Sequence, residues 1–269
     1  MLELHDINMV VKKHTGHYIN VLNNISINIK EGECVFLWGP NGSGKSSLQE
    51  AIAVGNSSYI DDNTDSVINK VVEGSIKIKG KEINYMHPYQ RSFFISRVTQ
   101  NPLDMFSNSL TLEENFALAY KRNQQRSFLK KAVTDRLRKY FVEKIEKQGM
   151  DIENRLTDNI TSFSGGELQI LAFLAATICI PDLLLLDEHT RDLDTANSIK
   201  MEQLTNKFIK EHNVTLVWVT HNPNQVVQYG NRIFFMRSGS IIKEITPDEK
   251  KTIPDSELIK LLKSFQQEN

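Results

Sequence analysis

The sequence predicts an α/β fold on a mainly parallel core sheet, with an antiparallel β portion at the N-terminus and an inserted helical lobe. Three observations carry that expectation. The apolar runs CVFLW at 34–38, DLLLLDE at 182–188 and VTLVWVT at 214–220 alternate with helix-length segments, and runs without polar alternation mark strands buried on both faces. The first run leads directly into GPNGSGKSS, 39–47, a glycine-rich turn at the start of a helix. The stretch from Thr111 to Gln148 is helical in pattern with no strand inside it.

Taken in order, LELHDINMVV at 2–11 and VLNNISINIK at 21–30 alternate as strands of a half-exposed sheet, the second ending at the turn EGE. After the glycine-rich turn and its helix, GNSSYIDDNTDS at 55–66 reads as an exposed polar insertion and GSIKIKGKEI at 74–83 as a short strand pair. TLEENFALAY opens a helix with the capping-box pair Thr111 and Glu114, and KAVTDRLRKYFVEKIEKQG closes at Gly149. A helix near 165–179, one near 195–212 and the strand pair RIFFMRSGSIIKEI at 232–245 follow, and the tail carries the short amphipathic helix SELIKLLKSF. The expected organisation is one domain: core and β portion in 1–100 and 180–246, helical lobe in 101–179, and a C-terminal helix in 247–269.

Bulk properties narrow the partners. The 269 residues carry a net charge of −1 with pI about 6.7, so no global charge draws the chain to nucleic acid, and none is expected as a partner. Cys34 and Cys179 lie in apolar runs and are expected as buried thiols rather than a disulfide. No export signal opens the chain, and the apolar stretch at 171–186 is broken by Pro181 and Asp182, so no bilayer span is expected. The basic segment 121–139 reads as a solvated face of the helical lobe, with lipid or nucleic-acid contact as its alternative.

The turn at 39–47 meets the Walker A pattern with Gly39, Gly44, Lys45 and Ser46. Glycines there let backbone N–H groups converge on phosphates at a helix start; Lys45 would neutralise phosphate charge and Ser46 would ligate Mg²⁺. At the end of LLLLDEH, a buried carboxylate needs a strong partner, which makes Asp187 a candidate for the ion and Glu188 for polarising an attacking water. In SFSGGELQ, Ser164, Gly165 and Gly166 open a second helix and so offer a second anion cradle. One phosphate group needs one cradle; the second makes sense if offered to a nucleotide held by another copy, in a head-to-tail homodimer.

With these elements in the order GPNGSGKS, VTQNP, FSGGE, LLLLDE, LD and VTH, the sequence resembles the nucleotide-binding subunits of ATP-binding-cassette (ABC) transporters over essentially its whole length. The resemblance implies a P-loop NTPase (ABC ATPase) fold that binds ATP and Mg²⁺ and hydrolyses ATP. It implies nucleotide contacts from Gly39, Pro40, Asn41, Gly42, Ser43, Gly44, Lys45, Ser46 and Ser47; metal contacts from Ser46, Gln100 and Asp187; Glu188 as general base; and His221 as the residue that senses the γ-phosphate. Ser164, Gly165, Gly166 and Glu167 would face the partner's γ-phosphate, with Asp194 beside them. For adenine, the family's stacking position falls at Val11, while Tyr18 and His17 lie farther round the hairpin; Tyr18 is the candidate, against a plain surface tyrosine.

The sequence departs from the family's common pattern in four places: Glu167 where glutamine is usual, the following LQILAFLAA without the arginine many relatives carry, His189 where proline is common, and Arg191-Asp192 where small residues are common. LLLLDEHT, ALAYKR, VTHNPNQ and QYGNR resemble a bacterial subgroup of importer ATPases. That subgroup is linked to branched-chain-amino-acid-type permeases and a binding lipoprotein, with tryptophan or tyrosine uptake proposed for it. The implied protein is a peripheral ATPase on the cytoplasmic face of the membrane. Its partners would be integral permease subunits and an extracytoplasmic substrate-binding protein. A soluble assembly ATPase and an export ATPase stand as alternatives. The loop after Gln100, with Leu103, Met105 and Phe106, is expected to carry the permease contact or to serve as lobe core.

Overall fold

The computed structural model describes residues 1–12, 18–61, 66–122 and 132–267 and divides the chain into two compact units. The first comprises Met1–Ile95, Asp182–Glu188 and Asn213–Asn269; the second comprises Ser96–Pro181 and His189–His212.

In chain order the first unit opens with β1 (Leu2–Lys12), β2 (Tyr18–Ile29) and β3 (Cys34–Trp38). It continues with α1 (Lys45–Ala53), β4 (Ser57–Asp61), β5 (Ser66–Ile78), β6 (Lys81–Glu82), α2 (Pro88–Arg91) and the start of β7 (Ile95–Val98). The second unit holds α3 (Leu112–Tyr120), α4 (Asp135–Glu146) and α5 (Gly165–Thr177). The chain then runs through β8 (Leu183–Asp187) in the first unit and α6 (Thr195–His212) in the second. The last elements are β9 (Thr215–Val219), α7 (Pro223–Tyr229), β10 (Arg232–Arg237), β11 (Ser240–Ile245), α8 (Pro247–Thr252) and α9 (Asp255–Gln267).

Alternation and apolar runs give the two sheets of the first unit different characters. The N-terminal sheet is antiparallel, ordered β2-β1-β5-β4 with β6 on β5, and its buried residues alternate as Leu2, Leu4, then Ile25, Ile27, Ile29. The core sheet runs β11-β10-β3-β9-β8; β10, β3, β9 and β8 are parallel, and β7 extends the sheet from Ile95 beside β8. Both sheets close on one apolar cluster that joins Leu2, Ile7 and Ile29 to Val35, Leu37, Leu48, Leu183 and Val217. Each such fully buried aliphatic side chain contributes about 1.5–3 kcal/mol. Because β3, β9 and β8 are neighbours, their C-terminal ends deliver the glycine-rich turn, His221 and the Asp187-Glu188 pair to one edge of the sheet, where open α/β sheets bind ligands.

Arg91 closes this unit from inside. Buried at 1% exposure, it donates to the carbonyls of Ala51 and Ile52 at 2.9 Å each and to those of Asn84 and Met86, satisfying carbonyls at the end of α1 beside Gly55, which closes the helix in left-handed backbone at φ 75°. Burial pulls its guanidinium down to about 10.

In the second unit α5 is apolar on nearly every side, and Leu168 through Thr177 are all buried, as an all-round hydrophobic helix must be. Edge-to-face pairs Phe116–Phe141 and Phe173–Phe208 pack around it, and Arg138 ties α4 to α3 through Glu113 at 2.6 and 2.9 Å.

Three expectations are corrected and one is met. The polar stretch read as an exposed insertion contains β4, an edge strand paired antiparallel with β5; residues 62–65 of that stretch lie outside the described residues. The strand pair expected at 74–83 is present, formed antiparallel by the end of the long β5 and the two-residue β6. Cys34 is buried, with its thiol pushed up to about 12, but Cys179 is only half-buried. Leu103, Met105 and Phe106 fall on a short 3₁₀ turn in which no residue is buried, so they are not lobe core. Residues 123–131 of the basic segment lie outside the described residues, and among those described no helix is long and apolar enough to cross a membrane.

Candidate nucleotide-binding site

The glycine-rich turn is shaped by close approach and by left-handed backbone. A Cβ on Gly39 would stand 2.2 Å from the Met236 carbonyl, so only glycine fits there. Gly42 and Gly44 have φ of 79° and 101°, and Gly44 starts α1 with no side-chain cap. The first amides of α1 are therefore not spent on a capping side chain. Lys45, buried at 6% exposure, donates to the carbonyls of Gly39 at 2.8 Å and Pro40 at 2.9 Å. Burial lowers the pKa of its ammonium, while Glu188 and Asp187 oppose that shift.

Ser46 Oγ donates to Asp187 Oδ1 at 3.0 Å, bringing together two residues 141 positions apart. Both are hard oxygen donors, the chemistry Mg²⁺ prefers, so the residues fit that ion. Gln49, wholly buried, locks α1 to the strand ends by donating to Leu186 O at 3.0 Å and Val217 O at 3.1 Å. A cavity of about 220 Å³ opens here, faced by Asn41, Gly42, Gly44 through Ser47, Val21 and Glu188.

Glu188 adopts φ 47°, held by its own N–H donating to Val219 O at 2.9 Å. That turn aims its side chain, only 9% exposed, at His221, whose Nε2 lies 2.8 Å from Glu188 Oε1. The approach is close but lacks hydrogen-bond alignment. On the far side of the ring, Gln266 Nε2 meets His221 Nδ1 at 2.9 Å.

The second unit holds the other predicted residues. Ser164 caps α5 with a complete capping box: its N–H donates to Glu167 Oε2 at 2.7 Å and its Oγ accepts from Glu167 N at 3.4 Å. Arg155 steadies the turn, 3.4 Å from Glu167 Oε1, 3.0 Å from Asp158 and stacked over Phe163 at 4.2 Å. A Cβ on Gly165 would meet nothing within 4 Å, whereas one on Gly166 would stand 2.8 Å from Asn197. Asp194 anchors that asparagine by accepting from its N at 3.0 Å and its Nδ2 at 2.6 Å; the Asn197 backbone bond is the main reason its carboxyl sits below the usual range. Gln100 reaches Asp192 at 3.4 Å. His189, the departure from proline, is buried at 1% exposure with Nε2 3.1 Å from Thr205 Oγ1, and burial drives its pKa down to about 3.

The family model described as ABC transporter matches residues 22–191, well over half of the chain. The chain belongs to the ABC transporter family. It is an ATP-binding subunit and an ATP hydrolase of that class. The tyrosine transport ATP-binding protein of Clostridioides difficile is 29% identical over 96% of this chain and 97% of its own length. A phosphate import ATP-binding protein of Aeropyrum pernix is 29% identical over 90% of each. Among solved structures, a dimeric ATP-binding cassette in a post-hydrolysis state, bound to ADP and Pi, superposes with a TM-score of 0.72 at 27% identity, covering 92% of this chain and 99% of its own.

The structure brings together Lys45, Ser46, Asp187, Glu188 and His221 in the first unit, and Ser164 through Glu167 with Asp194 in the second. The adenine candidates do not line the cavity: Val11 pairs with Ile19 in the hairpin, and Tyr18 is 64% exposed with Lys12 5.2 Å from its ring centre. His17 lies outside the described residues. Val21, which faces the cavity, escaped the sequence reading because it sits one residue before a buried strand position and carries no motif. Arg155 and Gln266 were missed because their partners are remote or carry no pattern of their own. The one available signal for Gln266 is that it continues the apolar stripe Leu258, Leu262 one helical turn on.

Proposed function

We propose that two copies of the chain pair head to tail, bind ATP with Mg²⁺ between them, and drive a separate membrane permease from the cytoplasmic face. The work is import of a small solute such as an amino acid, delivered by an extracytoplasmic binding protein. The observation that carries the reading is the Ser46 hydroxyl on the Asp187 carboxylate at 3.0 Å, beside the cavity that Glu188 also faces. Full-length similarity to a tyrosine transport ATP-binding protein supports the amino-acid reading, and the dimeric cassette supports the pairing.

In this reading Ser46 and Asp187, with Gln100 on the strength of the family resemblance, hold Mg²⁺, which when bound neutralises charge on the phosphates. Lys45 exchanges its two carbonyl partners for phosphate oxygens. Glu188 accepts a proton from the attacking water as the water oxygen bonds to the γ-phosphorus; the bond from that phosphorus to the bridging oxygen breaks, and ADP leaves with the electron pair. His221 donates Nε2–H to the γ-phosphate. Ser164, Gly165 and Gly166 offer their helix start to the nucleotide of the other copy, and closing and reopening of the pair moves the permease.

Light scattering of Glu188→Gln tests this. Losing the base slows hydrolysis about 10²–10⁴-fold, so Mg·ATP should trap a dimer that nucleotide-free protein does not form. A further Ser164→Arg change should return the mass to a monomer. A mass that stays monomeric at saturating Mg·ATP overturns the paired mechanism.

A further inference from the structure

His221 is held from two sides, and only one of them belongs to the machinery described so far. The second is α9. Its buried stripe of Leu258, Leu262 and Phe265 seats it on the first unit, where Leu262 O accepts from the buried Trp38 Nε1 at 2.9 Å. Phe265 packs edge-on against Phe235 at 4.9 Å and lies under the Arg237 guanidinium at 4.7 Å. Trp38 is the residue immediately before Gly39, so the helix is pinned at the root of the glycine-rich turn. Gln266 follows Leu262 by one turn of helix and extends its amide to His221 Nδ1 at 2.9 Å.

The chemistry of that contact has a direction. An amide nitrogen only donates, so Nδ1 accepts, and a neutral imidazole then carries its proton on Nε2. Nε2 lies 2.8 Å from Glu188 Oε1, without hydrogen-bond alignment, so the carboxylate acts on that nitrogen through its charge. With the amide turned round, its oxygen would take a proton from Nδ1 and leave the Nε2 lone pair of a neutral ring against a carboxylate, which is repulsive. The two neighbours of the ring therefore agree on one tautomer, and it is the one able to donate to a phosphate oxygen.

We propose that Gln266 is a positioning residue for His221: its amide N–H fixes the imidazole as the Nε2–H tautomer and aims that donor beside Glu188. This rests on the reading of His221 as the γ-phosphate contact. The C-terminal helix thereby takes part in the hydrolytic site without touching nucleotide. Displacing α9 by even one turn would release the ring, which makes the tail a point where hydrolysis can be governed from outside the motifs.

The test compares wild type, Gln266→Met and His221→Ala in the full chain. Methionine keeps the length and helix preference of glutamine and has no N–H to give. In ¹⁵N spectra of histidine-labelled protein without nucleotide, with the His221 signals assigned by their loss in His221→Ala, wild type should show Nε2 protonated and Nδ1 bare. Gln266→Met should show an exchanging mixture, a change that a purely structural role of the residue would not produce. In ATP hydrolysis, kcat of Gln266→Met should fall about tenfold, the worth of one hydrogen bond to a reacting group, with KM for Mg·ATP within about twofold. Unchanged Nε2–H signals and unchanged kcat in Gln266→Met overturn the proposal. If His221→Ala itself hydrolyses ATP at the wild-type rate, the γ-phosphate reading of His221 fails instead; if His221→Ala is inactive while Gln266→Met is unaffected in both readouts, only the role of Gln266 falls.

Discussion

Two helices of this protein begin at glycine-containing turns suited to an anion, and they begin in opposite ways. α1 starts at Gly44, left-handed at φ 101° and without a side-chain cap, so its first amides are held for an external group. α5 starts at Ser164, in extended backbone, with a capping box in which Ser164 and Glu167 satisfy one another. The first turn uses left-handed glycines to stay open before ligand arrives; the second is stable on its own and already holds a carboxylate where a phosphate would come. In the proposed pair, binding at the first would be local to one copy, whereas binding at the second would compete with the cap and so suit a contact made only when two copies close.

Matched glycine substitutions break or sharpen this contrast most strongly. Gly44→Ala forces a Cβ into left-handed backbone at 3.1 Å from both Leu22 and the Val21 carbonyl. Strain of about 1–2 kcal/mol plus a displaced amide should lower Mg·ATP affinity about a hundredfold, read by titration calorimetry. Gly165→Ala meets open space at a helical position, so affinity for the first nucleotide should stay within about twofold while ATP-driven pairing is lost. Equal losses of affinity in both proteins would erase the distinction between the two turns.

The paired histidines that flank Glu188 in structure and sequence sharpen it next. His221 has a side chain 31% exposed and is placed to exchange partners, whereas His189 is shut in at 1% exposure with its pKa driven down to about 3. For His189 the folded pKa lies below the unfolded one, so below about pH 6.5 the unfolded chain binds the extra proton and stability falls with pH, levelling off only near pH 3. Between pH 7 and 5 this group should remove about 2 kcal/mol of stability, a loss that His189→Leu escapes. Urea unfolding of both proteins at the two pH values measures it, and an identical acid loss in the two would refute the buried-neutral assignment.

What was legible follows how local each feature is. The glycine-rich turn, the LLLLD strand and the helix start at Ser164 are written in contiguous residues whose spacing is dictated by backbone geometry, and all appear where the pattern puts them. β4 was read as an insertion because an edge strand takes its order from backbone pairing with β5, and SSYID carries no strict alternation to announce it. Arg91 reaches carbonyls of Ala51 and Ile52 some 40 positions away, and Gln266 meets a histidine 45 positions back. No local pattern encodes such partners. Nor could the strand alternation tell which side chain of the β1–β2 hairpin faces the nucleotide cavity; of the described residues there, Val21 does.

The smallest effect lies in the departure at Glu167. It replaces a neutral amide by a carboxylate, yet the structure gives that carboxylate two duties, accepting the Ser164 N–H at 2.7 Å and meeting Arg155 at 3.4 Å. Glu167→Ala removes half of the capping box and should cost about 0.5–1 kcal/mol of stability. Glu167→Gln keeps an acceptor for the Ser164 N–H and discards the charge, so stability should change by less than about 0.5 kcal/mol. The phosphate of a partner's nucleotide would then meet the dipole of α5 without a carboxylate in front of it, and the dimer of Glu188→Gln should form at a lower ATP concentration. If the added Glu167→Gln change instead raises the ATP concentration needed, the carboxylate is acting through Arg155 to shape the turn rather than against the incoming phosphate, and the second cradle is more finished in the unpaired chain than its capping box suggests.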